Sequence, residues 1–440
     1  MTPRSAVYDV NEQKLDPVLL EVLHYGVPLA INDRSPARLP FSTEVLEEAN
    51  RRRSVAPDTP ESLFEEARII WRNACRRAAE SATHPLCLPL SAGLDSRAVL
   101  AGLRDAGVVP ATVTYGVPGA FDYELAPAVA ARAGAPHLRL DLGEVTITRE
   151  LLVRYAKRLA KPGSLLDMSF NGELMTRTEK RYSYINGFAG DALTGKHLAN
   201  VKSQTWAQAC ADFSRWCCAS KTETLTPRQF NPTAGLPDSP LVDTSLLSAG
   251  YQLDFSVRQA RMIRPIVMPT TDEVFTPFTD PDWCAFILGL PNEFLADQRF
   301  IIAFLRSTYT DLFSLPTTAN GGLTLDASAG QVARHKKRLR RRGRWRRRLR
   351  RWWPTINVPP ADRQWQYLDF RNQLRQNTPI AAMVDESMQR LDELGATPWL
   401  SAKDLLAAHR SSHADHAKAL NALLNLEILL SERPDLFLKH

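Results

Sequence analysis

Between Glu61 and Ser81 the apolar residues Leu63, Ile69, Ile70, Ala74 and Ala78 fall at helical spacing, with Thr59 or Ser62 placed to cap the start. The pattern then changes. The runs "LCLPL" (86–90), "ATVTY" (111–115), "HLRLDL" (137–142) and "YSYING" (182–187) are short and strand-like, and helical spacing fills 96–106, 123–133 and 148–160 between them. Strands that alternate with helices predict an α/β fold, a parallel sheet with right-handed crossovers and flanking helices. Past residue 195 the strand signal fades. Segments 204–218, 245–262, 281–288, 297–313, 362–375, 379–395 and 401–430 read as helices, so a mostly helical C-terminal part is expected. Residues 1–60 hold prolines at 3, 17, 28, 36, 40, 57 and 60 and read as irregular, with room for a strand or two around "VLLEVLHYGVPLAI". The expected division is 1–60 irregular, 61–330 α/β, 331–360 a separate basic segment and 361–440 helical.

At 44% hydrophobic and 23% charged residues the composition is that of an ordinary globular protein. The N-terminus lacks the apolar core of a signal peptide, and no stretch approaches the roughly 20 apolar residues of a membrane span. The six cysteines form no CxxC pair, which suits a reducing compartment. A cytoplasmic location is expected, with peripheral membrane contact as an option. The formal charge of +7 is misleading, because 13 Lys and Arg crowd into 334–351 with no acid among them. The remaining 42 stand against 48 acids, a balance of −6.

Two loops that follow strands carry the candidate chemistry. In "LPLSAGLDSRAV" the small residues Ser91, Ala92 and Gly93 lie between a strand and a helix. Successive N–H groups there can face one concavity, and a helix N-terminus adds positive potential, which suits phosphate. An acid at Asp95 fits such a place if a cation such as Mg²⁺ mediates. The plainer reading is a strand-to-helix turn with Asp95 or Ser96 as its cap.

"LSAGLDSR" resembles the pyrophosphatase loop of the adenine-nucleotide α-hydrolase group, in its asparagine synthetase form. "INGFAGDALTGKHL" is similar to the second nucleotide loop of asparagine synthetases and β-lactam synthetases, with Asn186, Gly187, Phe188, Ala189, Gly190 and Asp191 falling on that pattern in order. "VTYGVPGAFDYELAPAVAARAGAPH" (113–137) and "FTPFTDPDWCAFILGLPNEF" (275–294) extend the likeness over about 62–325. The resemblance implies an ATP-dependent ligase that adenylates a carboxylate, releases pyrophosphate and passes the acyl group to ammonia or an amine. Surface-polysaccharide or natural-product biosynthesis is a possible setting. It further implies ATP at Leu90, Ser91, Ala92, Gly93, Asp95, Ser96, Tyr115, Asn186 and Gly187, and Mg²⁺ between Asp95 and Asp191. Asp122 falls on an acidic position common in the family, and the segment 163–175 is placed to line the acyl pocket.

The chain also departs from that pattern. Ala92 replaces a glycine, which is harmless only if its φ is negative. Phe188 stands where the family has a glutamate or tyrosine active in acid–base work, and phenylalanine cannot carry a proton. The chain begins Met-Thr-Pro with some 60 to 80 residues before the likeness starts, too few for a glutaminase domain, so ammonia from solution or a partner, or a substrate amine, is expected as nucleophile. Lys196, Lys336 and Lys337 are candidates for the lysine that faces the leaving pyrophosphate. A catalytically degenerate scaffold is the rival reading, and an RNA-modifying member of the same group a third. Gly190 to Lys196 also matches the core of a Walker A loop, but His197 replaces its Ser or Thr.

Two features lie outside the likeness. "RHKKRLRRRGRWRRRLRRWWP" sets Trp345, Trp352 and Trp353 among cations, suited to an anionic membrane surface and less so to nucleic acid, with a disordered tail-like loop as the plainer reading. His409, His413 and His416 recur at i, i+4 and i+7, beside Asp415, as an exposed polar stripe or a zinc site. Cys217-Cys218 reads as core.

Overall fold

The computed structural model describes residues 16–29, 37–55, 59–158, 163–167, 182–201, 203, 205–221, 224–267, 273–350, 352–353, 368–411 and 414–437. Five strands make one sheet: β1 (Leu86–Pro89), β2 (Ala111–Gly116), β3 (His137–Asp141), β4 (Ser183–Ile185) and β5 (Val274–Phe275). Their order is β3-β2-β1-β4-β5, and every pairing is parallel. The α/β expectation holds. β5 has no counterpart in the sequence reading, because two residues cannot display a period.

The helices of eight residues or more are α1 (Pro17–Tyr25), α2 (Thr43–Ser54), α3 (Phe64–Glu80), α4 (Asp95–Asp105), α5 (Phe121–Ala133), α6 (Arg149–Arg158), α7 (Trp206–Cys217), α8 (Pro281–Leu288), α9 (Arg299–Thr308), α10 (Ala329–Arg350), α11 (Pro379–Leu394), α12 (Ala402–Arg410) and α13 (Ala417–Glu432). Local chemistry sets many of their ends. Asp16 caps α1 by accepting from the Val18 N–H, Pro17 opens the helix, and Gly26 closes it at φ +78°. Asp280 and Pro281 start α8 in the same way.

The pleat divides the sheet into two apolar faces. Leu88, Leu90, Ile185 and Phe275 point to a core built by α3, α4, α5, α8 and α9, centred on Trp71, Trp283, Phe286, Phe300 and Phe304. Cys87, Val113, Tyr184, Tyr115 and Leu140 point the other way. On that side Tyr115 meets a second core made by α1, α6, α11, α12 and α13. Helices on both faces are the doubly wound arrangement.

Three expectations need correction. The apolar run in the N-terminal region is α1, not strand, and α2 follows it, so the described part of 1–60 is largely helical. Val18, Leu19, Leu20, Val22 and Leu23 are all buried against the C-terminal helices, and even Glu21 is buried, so the helix has little polar outer face and its amphipathic signal is lost. The 401–430 helix is two helices, α12 and α13, and the 245–262 helix is Ala249–Leu253 continued by a π-helix, Asp254–Ile263. The histidine stripe does not form either. His409 is fully buried, its Nε2 donating to the Arg371 carbonyl and its Nδ1 accepting from the His416 N–H, while His413 lies outside the described residues. Both ring nitrogens are thereby engaged in structure. No group of three or more potential metal ligands converges among the described residues.

Candidate functional site

β1 and β4 are neighbours, and the chain leaves their carboxyl ends in different directions. β1 runs through residues 90–94 into α4, and β4 runs through 186–189 into the short helix Gly190–Leu193. This is the switch point of the sheet, where doubly wound folds bind ligands.

The first loop is fastened to the sheet and folded on itself. Leu90 is buried, its N–H donating to the Val113 carbonyl and its own carbonyl accepting from the Thr114 hydroxyl. The Ser96 hydroxyl accepts from the Ser91 N–H (3.0 Å) and meets the Ser91 hydroxyl at 2.9 Å. The Gly93 N–H donates to Ser91 Oγ at 3.2 Å, and the Ala92 N–H donates to Asp122 Oδ1 at 2.8 Å. The amides of Ser91, Ala92 and Gly93 are thus all taken by acceptors within the protein.

Ala92 is not among the left-handed residues of the chain and its methyl is fully buried, so alanine replaces glycine there without backbone strain. Its carbonyl accepts from Arg97 Nη2 (3.0 Å), Thr317 Oγ1 (2.8 Å) and the Thr318 N–H (3.1 Å). Arg97 itself is fully buried, donating further to the carbonyls of Leu312, Leu315 and Pro316 over the ring of Phe313. Burial lowers its pKa to about 10. Arg97, Thr317 and Thr318 thus hold the loop from behind. The sequence offered only the adjacency of Arg97 to Ser96, and nothing pointed across some 220 residues to the two threonines.

The second loop closes over Asp95. A Cβ on Gly187 would lie 2.7 Å from Asp95 Cβ, and one on Gly190 would lie 2.6 Å from Asp95 Cγ. Ala189, at φ +67°, makes the turn between them. Asn186 fixes its start, with Oδ1 accepting from the Phe188 N–H and Nδ2 donating to the Val267 carbonyl. Thr276, just past β5, donates to the Phe188 carbonyl. The Phe188 side chain is half-buried and supplies no titratable group.

Asp95 and Asp191 consequently share one place. Burial, and then the charge of Asp191, push the Asp95 carboxyl up to about 8, against partial relief from Lys196 and the Asp191 N–H. Lys196 Nζ donates to Asp191 Oδ2 at 2.6 Å, and Gln298 approaches Asp191 Oδ1 while donating to Thr194. The two carboxylates are oxygen donors of the kind a hard cation takes, and in this structure Lys196 supplies positive charge to Asp191.

The other predicted residues divide. Tyr115, at the end of β2, has its phenol pushed up to about 12 by burial and by the charges of Asp122 and Asp167. Asp167 belongs to segment 163–175, of which 163–167 is described and the rest lies outside the described residues. Lys336 Nζ lies 3.5 Å from the Ala319 carbonyl, in the loop whose Thr317 and Thr318 hold Ala92. Lys337 is exposed on α10. His197, which sequence reasoning used only to reject a Walker loop, meets the fully buried Asp254 at 2.7 Å. Gln259 and Arg258 also address that carboxylate from the π-helix, an arrangement frequent near functional sites. No protein-family model matches this chain, and no curated protein matches it either.

Proposed function

We propose that the chain is an ATP-dependent amide-forming ligase of the asparagine synthetase-like kind, which adenylates a carboxylate and transfers the acyl group to ammonia or an amine. The convergence of Asp95 and Asp191 at the switch point, with Gly187 and Gly190 cleared to admit the Asp95 carboxylate, carries this reading. Lys196 offsets only part of the charge of the two crowded acids, and a magnesium–polyphosphate complex would supply a further cation together with the anion the first loop suits.

In this reading Ser91, Gly93 and Ser96 bind the phosphates, Tyr115 and Asn186 border the nucleoside, and Asp95 and Asp191 would hold Mg²⁺. When bound, Mg²⁺ neutralises charge on the departing pyrophosphate. The substrate carboxylate oxygen bonds to the α-phosphorus as the bond to the bridging oxygen breaks, giving acyl-adenylate and pyrophosphate. The amine nitrogen then bonds to the acyl carbon, AMP leaves, and one proton is lost. Arg97, Thr317 and Thr318 keep the loop in register, and Lys336 is the cation nearest to that support on the α10 side. Holding both reactants in one cleft supplies proximity. Because Phe188 cannot accept the proton, the amine enters neutral, and the rate follows the amine's own ionisation.

The test is pyrophosphate release from ATP and Mg²⁺ with pooled carboxylates and ammonia, comparing wild type with Asp95→Asn and Asp191→Asn. Release that needs both aspartates supports the ligase. Phe188 and the self-bonded first loop favour a second reading, a nucleotide-binding scaffold without turnover. ATP binding by calorimetry with no release from any carboxylate selects it.

A further inference from the structure

The proposed ligase chemistry leaves α10 unused. Its 22 residues carry no Asp or Glu, and it is one continuous helix rather than a loose loop. Val332, His335, Leu339, Gly343, Arg346 and Leu349 are the more covered positions and recur at helical spacing, so one side of α10 is more covered than the other. Arg334, Lys337, Arg341, Arg344 and Arg348 are all exposed and step by three, four, three and four residues. They form a single row along the outer side, about 21 Å long. Among the described residues no carboxylate pairs with any of the five. Such a row repels itself unless an anionic surface lies against it.

The aromatic residues say what kind of surface. Trp345 sits beside the row between Arg341 and Arg348, and Trp352 and Trp353 follow the helix end. The three are 66%, 77% and 61% exposed, the only aromatic side chains among the large exposed apolar ones of the described residues. Indoles gathered at one end of a cationic helix suit the headgroup layer of a bilayer, where an apolar ring and an N–H donor are both satisfied. The row contains no Asn, Gln, Ser or Thr, so it offers a partner little beyond phosphate contacts. Its convex outer side suits a flat sheet of phosphates better than a strand threaded through a groove.

We propose that α10 docks this protein on an anionic phospholipid surface, with the five-cation row on the headgroup phosphates and Trp345, Trp352 and Trp353 in the headgroup layer. Lys336 on the same helix reaches the loop that holds Ala92, so docking sets the candidate site beside the membrane. The docking does not depend on the ligase reading.

The experiment is flotation of the full chain with phosphatidylcholine vesicles, with and without phosphatidylglycerol, across a salt series. The chain is expected to float only with phosphatidylglycerol and to be released by salt. Each cation near the surface contributes roughly fivefold, so replacing all five of the row by Gln is expected to weaken binding about 3000-fold. Replacing the four arginines of the row by Lys, which keeps the charge, should leave it within about twofold. Trp345, Trp352 and Trp353 changed together to Ala should weaken binding and leave a residue that low salt alone sustains. Circular dichroism checks that each variant is folded, and if the Gln variant is not, the Lys and Trp variants decide. Equal flotation on both vesicles, unchanged binding by the folded Gln or Trp variant, or release from phosphatidylglycerol by tRNA at equal phosphate concentration would overturn the proposal. The last result would assign α10 to nucleic acid.

Discussion

Gly190 has no room for a side chain, since any Cβ would press on the Asp95 carboxylate. Gly190→Ala must push the two loops apart, a strain of about 1–3 kcal/mol. A lower melting temperature and loss of nucleotide binding in calorimetry are expected together. Asp95 makes the opposite kind of prediction. Its folded-state pKa lies above the ordinary 3.8, so the native chain binds more protons than the unfolded one between about 4 and 8. Stability therefore falls as pH rises through that window. Asp95→Asn removes the slope, so without metal the variant should melt higher than wild type near pH 8 and show little difference near pH 4. The same variant should release no pyrophosphate. Thermal scans at the two pH values check the first outcome, and a pyrophosphate assay checks the second.

At the level of elements, the short strands depend on side chains near their ends. Glu273, just before β5, accepts from the Ser183 hydroxyl at the start of β4 and from Thr83 before β1. These hydrogen bonds, with Ser183 foremost, hold its pKa down at about 2. A depressed carboxyl stabilises the fold above its unfolded value of 4.5 and loses that contribution as pH falls toward 2. The side chain is partly exposed, so the effect is small, and Glu273→Gln should flatten the acid limb of a stability–pH curve without moving the neutral end. α4 depends on Arg97 more heavily. Arg97→Met removes donors from four carbonyls, and each one left without another partner is expected to cost about 1–3 kcal/mol by urea unfolding. Where the variant still folds, nucleotide affinity should fall with it, because Ala92 loses one of its three anchors.

On the scale of the whole molecule, helices far apart in sequence, α1 and α13, meet. Val18, Leu19, Leu20, Val22 and Leu23 share a core with Leu420, Leu423, Leu424, Ile428 and Leu429 of α13, and with Leu151 and Leu152 of α6. The described C-terminal helices thus do not close a core from 361–440 alone. Leu23→Ala, at a fully buried position, is expected to cost about 2–5 kcal/mol. Limited proteolysis should then cut α12 or α13 sooner than in wild type, although the substitution lies near the other end of the chain.

The alternation of apolar periods determined the α/β class, because strands that follow one another through helices can pair in parallel without further information. Small residues flanking an acid after β1 and β4 marked both loops before any geometry was known. The density of arginine from 334 onward marked a strongly basic segment. Tertiary structure decided the rest, and for physical reasons. β5 is too short to have a period and exists because β4 offers it an edge. α1 was misread because burial all round removes the polar face that identifies a helix. His409 left its stripe because the Arg371 carbonyl and the His416 N–H claimed its ring from elements that meet only in three dimensions. Asp95 and Asp191, 96 positions apart, became one site only because β1 and β4 are neighbours, and no local pattern can state which strands will pair.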